Sequence, residues 1–147
     1  MEKKTINKTI GIKAGKEKVW EVLTSQPFLD EWTSAFMAGS VVKGEFKDGA
    51  QIIYLDPSGK GVAGKVTGYK PNVALKVSIL AEITNGEADF NHPDSKRWEG
   101  AYDYYQITEA DGTTTLSVET TFPAEFYNDF VPGWDKMLEK IKELAEK

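Results

Sequence analysis

The closing segment, residues 133–147, constrains the fold more than any other part of the chain. Apolar side chains recur there at helical spacing while the opposite face is charged, which predicts one long amphipathic helix. The apolar stripe consists of Trp134, Met137, Leu138, Ile141, Leu144 and Ala145. Such a stripe must pack against another element, and most of residues 40–122 has the character of β-strand. A long helix after a series of strands favours a curved sheet wrapped around that helix, and this shape tends to leave a cavity.

Composition and charge narrow the class of protein. The chain of 147 residues fits one domain, 1–147, and it contains no cysteine, which excludes disulfides and thiolate chemistry. Its formal net charge of −5 argues against nucleic-acid binding, because contacts to phosphate need a basic surface. No apolar run approaches the roughly 20 residues of a membrane-spanning helix, and the N-terminus lacks the apolar region of a secretory signal. We therefore expect a cytoplasmic protein that neither binds nucleic acid nor inserts into a membrane.

Periodicity before the closing helix predicts an α+β fold. Residues 16–24 have the apolar spacing of a short helix, and a second helical turn follows Ser25, with Pro27 in its first turn. Alternation predicts strands over residues 5–13, 41–46, 51–55, 61–69, 73–83, 98–108 and 113–122. We expect a curved antiparallel sheet of six to seven strands around the C-terminal helix, with two short helices after the first strand.

Three segments carry further expectations. The strand over residues 61–69 contains three glycines, which predicts bulges or bends. Residues 85–96 are polar and contain Gly86 and Pro93, a composition typical of a long loop or a frayed strand end. Residues 124–130 form either a separate helical turn or the start of a helix that kinks at Pro132.

Aromatic and apolar residues are numerous enough to line a cavity between sheet and helix. Pocket walls in such an architecture are also core, and the polar tips of Trp and Tyr supply a few orienting hydrogen bonds. The candidate ligand-binding residues are Trp20, Phe28, Trp32, Phe36, Ile52, Tyr54, Trp98, Tyr105, Phe126 and Trp134.

The tyrosine-rich run over residues 102–105 contains a candidate catalytic residue. Strand alternation puts Asp103 on one face with Tyr105, and Ile107 marks that face as the inner one. A buried carboxylate must be paired or protonated, which is the environment of a tuned acid or base, and Lys8 is a candidate partner on another apolar face. The opposite strand phase would instead expose Asp103 and turn Tyr102 and Tyr104 inward. Both phases stay open.

The one histidine, His92, lies in a segment rich in carboxylates. Glu87, Asp89, His92 and Asp94 offer metal-binding atoms, but their spacing matches neither an EF-hand loop nor a zinc motif. Turn-forming Asn, Pro and Asp residues explain the same composition as a solvated loop. We therefore predict no metal and no other cofactor.

The order of elements resembles the START-like superfamily, also known as SRPBCC or the birch-pollen-allergen fold. The resemblance covers nearly the whole chain and is closest to the C-terminal-domain family of the Aha-type chaperone ATPase activators. It is carried by the helix entry over residues 18–24, Trp32 after Pro27, the turn over residues 109–115, and the closing Gly133-Trp134-x-x-Met-Leu-x-x-Ile-Lys. It implies a helix-grip fold, in which a seven-stranded antiparallel sheet grips the C-terminal helix and leaves a cavity between them.

The chain departs from that family pattern in two places. The chaperone activator has a separate N-terminal chaperone-binding domain, for which this chain has no room. In addition, Thr33-Ser34 replaces the hydrophobic residue that usually follows Trp32, which alters the entrance region and so the ligand class.

Three functions are consistent with these features. The first is a binding module that holds a small apolar or amphipathic ligand, lipid-like or aromatic, in the cavity. The second is a metal-independent enzyme of the cyclase or dehydratase type that uses Asp103 and pocket tyrosines. The third is an interaction domain that modulates a chaperone ATPase, and a homodimer is a further open expectation.

Overall fold

A computed structural model describes residues 2–84, 87–89, 91 and 93–147. The secondary-structure elements run in the order β1 (Lys3–Ile12), α1 (Lys16–Thr24), α2 (Phe28–Thr33), β2 (Val41–Lys43), β3 (Gln51–Leu55), β4 (Gly61–Lys70), β5 (Ala74–Thr84), β6 (Glu87–Asp89), α3 (Pro93–Lys96), β7 (Tyr102–Ala110), β8 (Thr113–Pro123), a short 3₁₀ helix (Ala124–Phe126) and α4 (Tyr127–Ala145).

Strand pairing confirms the predicted α+β architecture. In the described part of the chain, eight antiparallel strands form one sheet in the order β1-β8-β7-β5-β4-β3-β2, and β6 pairs with β5 beside this path. The first strand therefore lies next to the last one, which brings both ends of the chain to the same side of the sheet. Helix α4 packs across the sheet and contacts β1, α1 and α2.

Helix α4 buries the stripe that its spacing predicts. Trp134 and Leu138 are 5% and 4% exposed, and Ile141 is completely buried. These residues join side chains from α1, α2 and the inner face of the sheet in one large apolar core. Pro132 lies inside this helix, which runs unbroken from Tyr127, so the alternative of a separate helical turn is replaced by a 3₁₀ helix followed by α4.

A bulge in β5 interrupts the strict alternation predicted for residues 73–83. Gly64 of β4 pairs with Ile79, whereas the adjacent Ala63 pairs with Ala81, so Leu80 is an extra residue in β5. A side chain at position 64 would clash with the neighbouring strand, which is why this bulge lies at a glycine. The expectation that the glycines of β4 mark bulges is therefore confirmed.

The bulge reverses which face the later side chains of β5 occupy. Ala81 and Ile83 pack with Ala63 in a second, smaller apolar cluster instead of extending the main core. Glu82 pairs across the strands with Val62, and both residues line the cavity described below. The strand predicted over residues 73–83 is therefore present, but the buried residues before and after Leu80 lie on opposite faces of the sheet.

Other boundaries differ by a few residues. Strand β2 ends at Lys43 rather than at residue 46, and β7 begins at Tyr102 rather than at residue 98. The polar segment over residues 85–96 contains the short strand β6 and the single helical turn α3. Both short elements lie beside β5, so tertiary pairing orders a segment whose local composition is typical of a loop.

Candidate functional site

A cavity of about 630 Å³ lies between the concave face of the sheet, α2 with the loop after it, and α4. This volume is within the range of sites that hold small molecules. Its walls are mainly apolar and come from nine secondary-structure elements and the loops between them, so no single segment forms it. The apolar lining includes Trp32, Phe36, Ile79, Phe122, Phe126, Phe130, Trp134 and Met137.

One wall of the cavity is a cluster of aromatic rings centred on Phe130. The Phe130 ring stacks on Phe126 with centroids 5.2 Å apart, and it lies 4.7 Å from Phe122 of β8 and 5.4 Å from Phe36. Trp98 in turn stacks on Phe126 at 5.4 Å. Phe126 and Phe130 are four residues apart across the junction of the 3₁₀ helix and α4, so their rings lie on one side, next to Phe122 of β8. The cluster joins the sheet, the loop and the helix around the cavity.

Gly133 allows this wall to close against α4. A Cβ atom at this position would lie 2.0 Å from Cδ2 of Phe36, so the ring packs directly on the helix backbone. Phe36 belongs to the loop between α2 and β2, a segment whose sequence has neither helical nor strand periodicity. The glycine therefore sets the position of a cavity-lining residue from another element.

A polar cluster interrupts the apolar wall at Asp103. This residue lies on β7, near the middle of the sheet, and the Thr120 hydroxyl of β8 donates a hydrogen bond of 2.6 Å to its Oδ1. Tyr54 of β3 and Tyr105 of β7 line the same part of the cavity. Among the described residues, no hydrogen bond involves either tyrosine hydroxyl or Oδ2 of Asp103. In that part of the chain, every polar side-chain atom that is fully buried has a hydrogen-bond partner. These three atoms have none, so they face accessible space.

Burial controls the protonation of this cluster. Removal of the Asp103 carboxyl group from bulk water raises its pKa from 3.8 to about 6, and the hydrogen bond from Thr120 only partly opposes that rise. Burial, with the nearby Asp103 charge as a second cause, raises the pKa of Tyr54 and of Tyr105 well above the usual value. Both tyrosines therefore keep their hydroxyl protons at neutral pH and can donate hydrogen bonds to a ligand.

A second polar group of residues surrounds Glu82. Trp98 Nε1 donates a hydrogen bond of 2.7 Å to Glu82 Oε1, and Arg97 pairs with the same carboxylate at very short range. Arg97 also contacts Glu125 of the 3₁₀ helix at 3.1 Å and lies over the Phe126 ring. The Glu82 carboxylate thus has a cationic partner, whereas the partner of Asp103 is the Thr120 hydroxyl.

The structure places seven of the ten predicted ligand-binding residues at the cavity: Trp32, Phe36, Tyr54, Trp98, Tyr105, Phe126 and Trp134. The remaining three lie elsewhere. Trp20 packs edge-on against Tyr69 at 5.7 Å, Ile52 is fully buried in the core, and Phe28 lies half-buried beneath the ammonium group of Lys18. These three contribute packing around α1 and α2, at positions that do not face the cavity.

The structure also chooses between the two phases of β7. Asp103 and Tyr105 face inward, whereas the Tyr102 hydroxyl donates to Glu119 on the other face. Lys8 does not reach Asp103, since its Nζ lies 2.8 Å from Asp135 of α4. The suggested Lys8–Asp103 pair is therefore wrong, because α4 lies between the N-terminal strand and the cavity and offers Lys8 a nearer carboxylate.

Two further expectations concern metal and membrane. His92 of the carboxylate-rich segment lies outside the described residues, and so do the side chains of Glu87 and Asp94. Within the residues that the structure describes, no group of three or more His, Cys, Asp or Glu side chains is arranged to hold a metal ion. None of the described helices is both long enough and apolar enough to cross a membrane.

Comparison with known proteins identifies the family. The family described as Activator of Hsp90 ATPase homolog 1-like protein matches residues 13–146. The chain belongs to this family. Nearly the whole sequence is included in the match, from the end of β1 to the end of α4, so the family assignment includes every element that lines the cavity. No curated protein sequence matches the chain.

Several solved structures share the fold of this chain at low sequence identity. The solution structure of the Aha1 dimer from Colwellia psychrerythraea is 24% identical with a TM-score of 0.72, covering 97% of this chain and 96% of that one. CalU16 from Micromonospora echinospora is 15% identical with a TM-score of 0.67, covering 98% and 77%. DynU16, from the dynemicin biosynthetic locus, is 16% identical with a TM-score of 0.69, covering 97% and 47%. These likenesses confirm the helix-grip fold.

Glu82, Arg97, Thr120 and Phe130 are among the cavity-lining residues that the sequence analysis did not predict as site residues. Thr120 and Phe130 had a visible signal, because Thr120 lies at an alternating inner position of β8 and Phe130 is four residues from both Phe126 and Trp134. Glu82 had none, since the bulge at Leu80 brings it to the inner face.

Proposed function

We propose that this protein is a binding module that holds a small apolar or amphipathic molecule in the cavity between the sheet and α4. The observation that carries the proposal is the cavity itself, about 630 Å³ of space with mainly apolar walls. Protein interiors are otherwise packed almost without voids, and a solvent-accessible space of this size with apolar walls is typical of a small-molecule site. The aromatic cluster around Phe130 provides flat surfaces for a ring or an alkyl chain.

Titration with a neutral apolar fluorophore, N-phenyl-1-naphthylamine, tests this proposal. Val62 of β4 lines the cavity, and Val62→Phe would occupy part of the space. Lys65→Phe, on the exposed face of the same strand, adds the same ring without entering the cavity. We expect the wild type and Lys65→Phe to bind the probe with one-to-one stoichiometry, and Val62→Phe to bind it at least about tenfold more weakly. Equal probe affinity in all three proteins, or no binding by the wild type, would contradict the proposal.

A second candidate function is a metal-independent cyclase or dehydratase activity. Asp103 supports it, because a carboxyl group with a pKa of about 6 can both accept and release a proton near neutral pH, and Tyr54 and Tyr105 lie beside it. One protein of the same fold, DynU16, is consistent with this candidate, since it comes from a biosynthetic locus. Turnover of a polyketide-like substrate that Asp103→Asn abolishes, with binding retained, would favour the enzyme over the carrier.

The family assignment supports a third candidate, the modulation of a chaperone ATPase. Its direct test is the ATPase rate of an Hsp90-type chaperone with and without this protein. The Aha1 structure of the same fold is a dimer, which supports a homodimer here as well. Light scattering coupled to size-exclusion chromatography measures the mass in solution and so distinguishes a dimer from a monomer.

A further inference from the structure

We propose that the cavity selects ligands whose polar end is a hydrogen-bond donor, an ammonium or a hydroxyl group, and that it rejects carboxylates such as fatty acids. This inference rests on the proposed binding function and names the ligand class for that site. It follows from the position and surroundings of Asp103.

Asp103 has one oxygen that no protein group uses. Thr120 donates to Oδ1, and within the described part of the chain no hydrogen bond is made to Oδ2, which faces the cavity. A carboxylate oxygen is an acceptor only, so its natural partner in a ligand is a donor. The hydroxyl groups of Tyr54 and Tyr105 lie close enough to be affected by the Asp103 charge, and they can orient the same polar end.

The charges that line the cavity would repel an anion at this point. Of the described residues in the lining, only Lys60 and Arg97 are cationic. Arg97 is engaged with Glu82 and Glu125, and Lys60 is exposed in the segment between β3 and β4. Among the described residues, no cation lowers the pKa of Asp103. The hydrogen bond from Thr120 is the one effect that lowers it. A ligand carboxylate beside Asp103 would therefore be an unpaired like charge in a poorly solvated space.

The spacing of the two polar groups in the cavity adds a size preference. Glu82 lies five residues after Val77, the residue that pairs with Asp103, and one of those five is the bulge residue Leu80. At a rise of about 3.3 Å per residue, the backbone positions of Glu82 and Asp103 are roughly 13 Å apart along the strands. An apolar stretch bounded by the aromatic cluster separates them. A ligand with a single donor at one end and an apolar body of about that length would match the cavity.

Three small molecules with one apolar body test the inference: 4-butylbenzylamine, 4-butylbenzyl alcohol and 4-butylbenzoate. Their affinities are measured by displacement of N-phenyl-1-naphthylamine at pH 7.5, where the amine is charged positively and the benzoate negatively. We expect the wild-type protein to bind the amine and the alcohol each at least about tenfold more tightly than the benzoate, the range of one charge-assisted hydrogen bond. Benzoate binding as tight as either of the others would overturn the inference.

Asp103→Asn removes the charge while keeping an acceptor for Thr120, and Asp111→Asn in the exposed β7–β8 turn is the matched control. Asp111 has φ 53°, which asparagine tolerates. We expect Asp103→Asn to weaken the preference for the amine, so that the ratio of amine to benzoate affinity falls at least about tenfold, while Asp111→Asn leaves the ratio unchanged. An unchanged ratio in Asp103→Asn would overturn the inference even where the alcohol still binds. If the alcohol and the fluorophore both fail to bind the wild type, the proposed binding function itself fails.

Discussion

At the scale of single residues, Asp103 makes the stability of the protein depend on pH. Its folded-state pKa of about 6 lies above the ordinary value of 3.8, so the folded protein binds this proton more tightly than the unfolded chain does. The contribution of Asp103 to the free energy of unfolding is therefore highest below about pH 4, falls as pH rises to about 6, and is constant at higher pH. At roughly 1.4 kcal/mol for each pH unit, the loss is about 3 kcal/mol.

Denaturant unfolding of the wild type and Asp103→Asn between pH 4 and pH 8 measures this effect. The variant lacks the titrating group, so its stability relative to the wild type should increase by about 3 kcal/mol across that interval and then remain level. The difference between the two proteins cancels the other carboxylates that titrate in both. A stability difference that stays constant with pH would mean that the Asp103 carboxyl group is well solvated and that its pKa is not raised in the folded protein.

Residue positions within strands could be predicted from the sequence only where alternation is unbroken. In β8, Leu116, Val118, Thr120 and Phe122 alternate without a bulge, and all four are buried as the pattern predicts. In β5 the same argument fails after Ile79, because one extra residue reverses the faces. Bulges depend on pairing between strands, which local sequence does not contain. The suggested Lys8–Asp103 pair was wrong for a similar reason, because Lys8 meets Asp135 only once α4 has packed, and local sequence does not contain that packing.

At the scale of elements, the contact between α4 and the loop before β2 determines the shape of the cavity. Gly133 lies in the middle of α4, where alanine would normally be more stable by about 1 kcal/mol. Here the Phe36 ring occupies the space that a Cβ atom would need. We therefore expect Gly133→Ala to destabilise the protein by roughly 1–3 kcal/mol, as overpacking does, and to weaken probe binding because Phe36 must move.

A double-mutant cycle separates these two effects of Gly133. In a Phe36→Ala background the clash is absent, so Gly133→Ala should become neutral or stabilising by up to about 1 kcal/mol. The reversal of sign, measured by denaturant unfolding, is the diagnostic result. If Gly133→Ala destabilises both backgrounds equally, the close approach of the ring to the helix is not the reason for the glycine.

Element types and order were predictable because long amphipathic patterns leave little choice. The apolar stripe of α4 and the helix over residues 16–24 appear where spacing predicts them. Short elements were not predictable, since β6 and α3 have only three and four residues, and pairing with β5 decides their conformation. Phe36 was predicted to line the cavity, but its close packing on α4 at Gly133 could not be predicted, because its loop has no periodic pattern.

At the scale of the whole molecule, the cavity couples stability to ligand binding. A ligand in this space of about 630 Å³ would remove apolar wall area from water, so binding would add to the stability of the folded state. Residue spacing favoured a cavity of this kind, because one helix cannot fill a curved sheet along its full length. The volume of the cavity and the identity of its lining residues depend on the α2–β2 loop, the bulge at Leu80 and α4 together. For this reason three of the ten predicted lining residues lie elsewhere.

This coupling gives the last prediction, which compares a bound ligand with a covalent filling of the same space. A neutral ligand such as 4-butylbenzyl alcohol at 100 times its Kd should raise the free energy of unfolding of the wild type by about 2.7 kcal/mol, because it binds the folded state alone. In Val62→Phe the ring already occupies part of the cavity and weakens binding at least about tenfold, so the same ligand concentration should add no more than about 1.4 kcal/mol. Lys65→Phe should respond like the wild type. A ligand that stabilises all three proteins equally would bind outside the cavity, and the space between sheet and helix would then be a packing defect with no role in binding.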